Sequence, residues 1–222
     1  FSLAGISSST LKFHHTGLRK PVRHGFHALA IDEHRAKFAP TPWTIRSKVG
    51  DATASAMRPI ESVEQRWFVG AHANVGGGCF NDTLAQIPLE WMMQKAGSLG
   101  LSFRNELELD GNEHQGEISD SYKEFLWGAY SWISRRSYRP IAPEPFEGST
   151  GVHTRVNETI DLSVFDRWRG DSSYRPPNLV EWGKRYDVDP AEIRRSVVAN
   201  SPAIPVSRPN SSISTADRKQ TP

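Results

Sequence analysis

The sequence predicts an α/β fold, because strands rich in apolar residues are followed by turns and then by helices. The clearest strand covers 65–69, where Trp67, Phe68 and Val69 are large, uncharged and β-favouring. Gly70 ends this strand, and an amphipathic helix follows three glycines. A second strand at about 156–160 precedes a short helix at 162–168. In open α/β sheets, ligands bind at the loops beyond the carboxyl ends of the strands.

The N-terminal region divides into a polar segment, a helix and an extended stretch. Residues 1–20 are polar and irregular, and Pro21 suits the first position of a helix. Four apolar residues would share one face of that helix: Val22, Phe26, Leu29 and Ala30. The stretch 38–43 contains two prolines, so we expect it to be extended.

The central region predicts two helices. The first runs to about Ala96, with Gly97 and Gly100 as its stop signals. The second begins at 121–124, where Ser-x-x-Glu has the form of a capping box. The residues between them, 101–118, are irregular and acidic.

The C-terminal region predicts shorter elements and then a tail. Residues 181–186 would form one further helical turn, and a last helix would run from Pro190 to Val198. Beyond it the chain is rich in Ser, Pro and Thr and too poor in apolar residues to order itself. We therefore expect one folded domain over 1–200 and a disordered tail over 201–222.

Composition narrows the class of protein. The 222 residues are 37% hydrophobic and 23% charged, and a net charge of +2 does not indicate a nucleic acid partner. The single cysteine, Cys79, excludes an internal disulfide and a cysteine-based zinc site, and we expect no metal and no cofactor. No apolar run reaches the roughly 18–20 residues of a membrane span, and no signal peptide is visible. We expect no transmembrane segment and a cytoplasmic location before any secretion.

His72 lies two residues after Gly70, in the loop beyond the predicted strand, and this position makes it a candidate general base. A single histidine at such a position is more often structural, so its position alone leaves both roles open. The glycines at 76–78 suit backbone that passes close to a ligand or takes positive φ. They match neither G-x-G-x-x-G nor a P-loop, because Cys79 and Phe80 follow directly.

Two ordered motifs resemble a known family. The first is A-L-A-I-D-E-x-R at 28–35 with F-x-P and W at 38–43, and the second is W-F-x-G-x-H-x-x-V-G-G-G at 67–78. Weaker matches occur at 120–122 and 160–179. Together they resemble, in the same order, the α/β-hydrolase family that includes the type VI secretion phospholipase effectors, the Tle group.

The resemblance implies a Ser-Asp-His hydrolase with a lipid or other ester substrate and a link to a secretion system. His72 matches the family's histidine. Such enzymes carry the serine in a Gly-x-Ser-x-Gly elbow that precedes the aspartate and the histidine. This sequence contains no such elbow, and the nearest candidate, at 5–9, lacks the second glycine. We therefore expect the serine and the triad aspartate upstream of Phe1.

We expect this chain to be the C-terminal part of an α/β-hydrolase-like domain, with mostly helices and loops around one or two remaining core strands. Without its nucleophile it should be inactive alone. The backbone N–H groups of Gly76, Gly77 and Gly78 would shape the substrate pocket or an oxyanion site.

Asp32 has two interpretations. It orients His72 through the second ring nitrogen, as a triad acid does, or it caps or pairs with Arg35 at the end of its helix. The second is favoured, because the expected upstream aspartate is the better triad acid. The sequence also departs from the family at Asn74, where the family often has Asp, and at Asp161, where it often has His.

Two functions from different classes follow. The leading one is the histidine-bearing part of a serine esterase or phospholipase. The alternative is a non-catalytic binding or interaction module derived from that hydrolase fold, and the missing serine elbow supports it. An in-frame elbow in the coding sequence upstream of Phe1 would favour the enzyme.

Overall fold

The computed structural model describes residues 18, 21–47, 58–78, 81–119, 136–148, 151–194 and 203–205. The strands are β1 (Gly25–Ala30), β2 (Thr44–Ser47), β3 (Val63–Phe68), β4 (Phe146–Gly148), β5 (Gly151–Arg155), β6 (Glu158–Asp161) and β7 (Ala203–Pro205). The helices are α1 (His72–Gly76), α2 (Gln86–Ser98), α3 (Leu162–Gly170) and α4 (Pro177–Tyr186). Short 3-10 helices cover Ala36–Phe38, Thr83–Ala85 and Glu113–Gln115.

The main sheet has four strands in the order β1-β3-β6-β7. The first three are parallel and β7 is antiparallel to β6. Leu29 of β1 is in register with Trp67 of β3, which is in register with Ile160 of β6. The carboxyl ends of three strands therefore meet at one edge. A second, antiparallel sheet has the order β2-β5-β4.

Helices cover both faces of the main sheet, which explains why β3 is buried along its whole length. Trp67 points to one face and packs in a core with Phe165 of α3 and Trp182 of α4. Phe68 points to the other face, where its ring lies 5.5 Å from that of Trp91 on α2. The α/β class predicted from the sequence is confirmed.

The face under α2 also buries charge. Arg66 pairs with Glu64 at 2.7 Å and with Asp161 at 3.3 Å, and Lys95 of α2 reaches Glu64 at 2.8 Å. The carboxylates of Glu64 and Asp161 are 3% and 6% exposed, so they depend on these partners for solvation. This network ties β3 to β6 and α2.

The first predicted helix is wrong, because residues 25–30 form β1. A short run that is apolar on both sides does not distinguish a buried strand from a helix. The expectation of one or two core strands is also wrong, since the main sheet alone has four. The strand and helix predicted at 156–168 are confirmed, with bounds 158–161 and 162–170.

Of the remaining predicted elements, two helices are confirmed, whereas the last helix and part of the disordered tail differ from the structure. The helix to about Ala96 is confirmed as α2, and the further turn at 181–186 belongs to the longer α4. Residues 190–194, expected to begin a last helix, form a turn and irregular backbone. Within the expected disordered tail, residues 203–205 pair with β6. The helix predicted from 121 lies outside the described residues.

Among the described residues, no helix combines the length and apolar character required to cross a membrane.

Candidate active site

The site forms where the loops after β1 and β3 leave the sheet together. Their pairing continues beyond the strands, because the N–H of Ile31 donates to the carbonyl of Phe68 at 3.0 Å and that of Asp32 to Gly70 at 3.1 Å. The next residues of both loops are therefore neighbours. This brings Glu33 beside His72, the first residue of α1.

A glycine is required at the turn into α1. Gly70 has φ +109°, and a Cβ at this position would lie 2.5 Å from the Cβ of Asn74. Asn74 is buried and holds the turn from inside: its Oδ1 accepts from the N–H of Ala71 at 3.1 Å. The same oxygen accepts from the N–H of Ser119 at 3.0 Å, so the histidine loop is tied to a distant segment.

His72 contacts a buried ion pair through its Nδ1 atom. That atom lies 2.6 Å from Oε2 of Glu33 and 2.8 Å from Nη2 of Arg35. The side chain of Glu33 is fully buried and that of His72 is 46% exposed. The imidazole is thus anchored at one nitrogen while nearly half of its surface faces solvent.

Arg35 fixes the Glu33 carboxylate. Its Nε donates to Oε1 and its Nη2 to Oε2, both at 2.9 Å, and its backbone N–H donates to Oε1 at 2.9 Å. Burial raises the pKa of Glu33, but these hydrogen bonds and that of His72 outweigh burial and lower its pKa to about 2. The Glu33 carboxylate is therefore ionised at neutral pH.

Phe38 covers the other side of this arrangement. Its ring stacks on that of His72 with 5.1 Å between centroids, and the guanidinium of Arg35 lies 3.8 Å from the Phe38 centroid. These contacts restrict rotation of the imidazole ring.

Asp32 lies behind the loop rather than beside the imidazole. Its Oδ2 accepts from the N–H of Gly70 at 2.7 Å and from the hydroxyl of Tyr174 at 3.2 Å. Burial raises the pKa of Asp32 to about 6, against the opposing effect of these two hydrogen bonds. The carboxylate that reaches His72 and pairs with Arg35 is that of Glu33.

The two departures from the family pattern have clear positions. The Nδ2 atom of Asn74 donates to the carbonyl of Glu117 and to Oγ of Ser119, both at 3.3 Å, which a carboxylate does not do. Asp161 caps α3, because its Oδ1 accepts from the N–H of Ser163 at 3.0 Å. Burial raises the pKa of Asp161.

A cavity of about 530 Å³ opens beside His72. Its lining is mostly apolar, with Pro88, Leu89 and Met92 on one side. Gly76 and Gly77 border it near the histidine, and a side chain at either would meet no atom within 4 Å. The cavity therefore has room for an apolar group next to the imidazole.

The edge of β1 forms another wall of the cavity. Four consecutive residues of this strand, 27–30, line it. Because successive side chains point to opposite faces, the cavity borders the strand's edge rather than one face. Within the described residues, β1 pairs with β3 alone, on its other edge.

The sequence predicted the position of His72 but missed Glu33. The available signal was the Asp-Glu-x-Arg run, which would have stood out as a loop beyond a parallel strand had β1 been recognised. The described residues contain no group of three or more His, Cys, Asp or Glu side chains arranged to hold a metal ion.

Comparisons with known proteins bear on the identity of this region. Residues 2–95 match the family model described as T6SS, phospholipase effector Tle1-like, catalytic domain. Comparison with curated proteins and with solved structures found no significant match. The matched region contains β1, β3, Glu33, Arg35 and His72. The match supports the family that the motifs indicate and a phospholipase-type function: over residues 2–95 this chain is similar to the Tle1-like catalytic domain of type VI secretion phospholipase effectors.

Proposed function

We propose that this chain carries the general base of a serine esterase or phospholipase, and that His72 is that base. The observation that carries the proposal is the position of His72 at the carboxyl end of a parallel strand, anchored at Nδ1 and beside an apolar cavity. The imidazole would take the proton of the serine hydroxyl as the hydroxyl attacks the ester, and return it to the leaving alcohol.

The serine would come from a segment outside this sequence, which has no Gly-x-Ser-x-Gly elbow. Backbone N–H groups at Gly76, Gly77 or Gly78 would contribute to the oxyanion site or the pocket wall. The substrate is a lipid or another ester with an apolar acyl group, matching the cavity lining.

The test uses the complete encoded protein and this chain alone, assayed with a p-nitrophenyl ester and with phospholipid vesicles. In the complete protein His72→Ala should lower kcat by about 10⁴–10⁶ while the variant remains folded by circular dichroism. His153→Ala is the control, because His153 lies on β5 of the second sheet. The chain alone should show no turnover.

Each arm has a contrary outcome. Near-normal turnover by His72→Ala in the complete protein would show that the histidine is structural. Turnover by this chain alone, abolished by His72→Ala, would place the nucleophile within the 222 residues. A folded complete protein that carries no serine elbow and binds lipid without turnover would instead support the binding-module alternative.

A further inference from the structure

We propose that Glu33 is the positioning residue for His72: its carboxylate accepts the Nδ1 proton and leaves Nε2 unprotonated, as a general base requires. This inference rests on the proposed function of His72. It assigns the positioning role within the Asp-Glu-x-Arg run to the second carboxylate, Glu33, and not to Asp32, for which the sequence left both a triad and a structural role open.

The geometry presents a choice between two tautomers. Nδ1 lies within hydrogen-bond distance of both Oε2 of Glu33, at 2.6 Å, and Nη2 of Arg35, at 2.8 Å. A protonated Nδ1 donates to Glu33, whereas an unprotonated Nδ1 accepts from Arg35 and leaves the proton on Nε2. Only the first tautomer gives a basic Nε2.

The charge and distance favour Glu33. An ionised carboxylate only accepts, and a hydrogen bond to it is about twice as strong as a neutral one. Arg35 has other acceptors for its protons, because its Nε and Nη2 already donate to Glu33. The imidazole has no equally close acceptor among the described contacts of Nδ1.

Glu33 is also held in place independently of His72. Three hydrogen bonds of 2.9 Å from Arg35 fix both carboxylate oxygens, and the side chain is fully buried. A group that is fixed before the reaction orients the base without reorganisation during it. Any other carboxylate that took this role would have to displace Glu33 from Nδ1.

The test measures the tautomer of His72 directly, by NMR at about pH 8, in the 222-residue chain with ¹⁵N-labelled histidine. Two-bond ¹H–¹⁵N correlations distinguish Nδ1–H from Nε2–H, and the spectrum of His72→Ala identifies the signals. The wild type should be Nδ1–H. Glu33→Gln should be mostly Nε2–H, because the amide group donates to Nδ1.

The chain supplies a matched control. Glu64 precedes Arg66 by two residues, as Glu33 precedes Arg35, and this second pair is also buried. Glu64→Gln should therefore cause similar destabilisation while leaving His72 in the Nδ1–H form. If Glu33→Gln fails to fold because Arg35 loses its partner, the double variant Glu33→Gln with Arg35→Gln removes the uncompensated charge.

The outcomes separate this inference from the proposed function. A wild-type Nε2–H tautomer, or a folded Glu33→Gln variant that keeps Nδ1–H, would overturn the role of Glu33 whether or not the protein hydrolyses esters. In an active complete protein, Glu33→Gln should lower kcat by about 10³–10⁴ with KM nearly unchanged, and Glu33→Asp should recover part of the loss. A higher KM with an unchanged kcat in Glu33→Gln would contradict the proposal.

Discussion

The carboxylate of Asp32 accepts a 2.7 Å hydrogen bond from the backbone N–H of Gly70, so a buried acid holds the turn that leads to His72. Burial raises its pKa from 3.8 to about 6. Its neighbour Glu33 has the opposite shift: burial acts to raise its pKa too, but the hydrogen bonds from Arg35 and His72 lower it to about 2. As pH rises, the contribution of Asp32 to the free energy of unfolding therefore decreases, whereas that of Glu33 increases.

Asp32 should make the protein less stable as pH rises from about 4 to about 6. In this range the unfolded chain loses the proton while the folded chain retains it, so the free energy of unfolding falls, by up to roughly 3 kcal/mol from this group. Asp32→Asn removes this contribution. Urea unfolding at several pH values should show the variant gaining stability relative to the wild type across this window, with no further change above about pH 7. A difference that is constant from about pH 4 to 7 would contradict the buried, titrating acid.

Gly70→Ala should destabilise the protein by at least about 2 kcal/mol, because the residue has φ +109° and the new Cβ would clash with Asn74. Gly97→Ala is the matched control, since it lies inside α2 with no atom within 4 Å of the added Cβ. That variant should be about 0.5–1 kcal/mol more stable than wild type. Thermal unfolding of both variants checks the contrast, which equal shifts in Tm would contradict.

Asn74→Asp introduces the residue that often occurs at this position in the family that the motifs resemble, yet it should destabilise this protein by about 1–3 kcal/mol at neutral pH. The change removes the donor to Glu117 and Ser119 and buries a carboxylate near their oxygens. Asn112→Asp, at an exposed position, should have an effect within about 0.5 kcal/mol. Urea unfolding measures both. An unchanged free energy of unfolding for Asn74→Asp would show that a carboxylate is accommodated here.

Phe38→Ala should affect activity more than stability. Phe38 stacks on His72 but is 41% exposed, so its loss frees the imidazole while exposing little core. In the active complete protein we expect kcat to fall about tenfold or more and the free energy of unfolding by less than about 1.5 kcal/mol.

Phe146→Ala is the control for this variant. Phe146 is 49% exposed and stacks on His153 at 5.3 Å, in the second sheet. It should lose a similar amount of stability and retain full turnover. Equal activity in the two phenylalanine variants would show that the stack on His72 has no functional role.

Local patterns allowed the position of His72 to be predicted, whereas the partner of His72 depended on long-range pairing. A strand of large apolar residues, a glycine and a histidine occur within a few positions, and β3 is found there. To predict that Glu33 contacts His72, one would have had to recognise residues 25–30 as a strand. That segment carries no period-2 alternation, because its apolar residues, such as Phe26 and Leu29, point to opposite faces of the sheet.

The second sheet and β7 illustrate the same limit. β2 has the sequence Thr-Ile-Arg-Ser, which is short and polar, and it is stabilised as a strand by pairing with β5. β7 lies in a Ser- and Pro-rich stretch whose composition alone predicts disorder, and its three residues pair with β6. In both places the partner strand, rather than local propensity, decides the structure.

The parallel register of the main sheet also determines when during folding the site comes into existence. His27 pairs with Gln65, which is 38 residues further along the chain, and Arg66 meets Asp161 across 95 residues. Contacts of such large sequence separation close long loops, and folding rates fall as their share increases. We therefore expect the contact of His72 with Glu33 to form only after β1 and β3 have paired, so that a nascent or partly folded chain lacks the positioning proposed for His72.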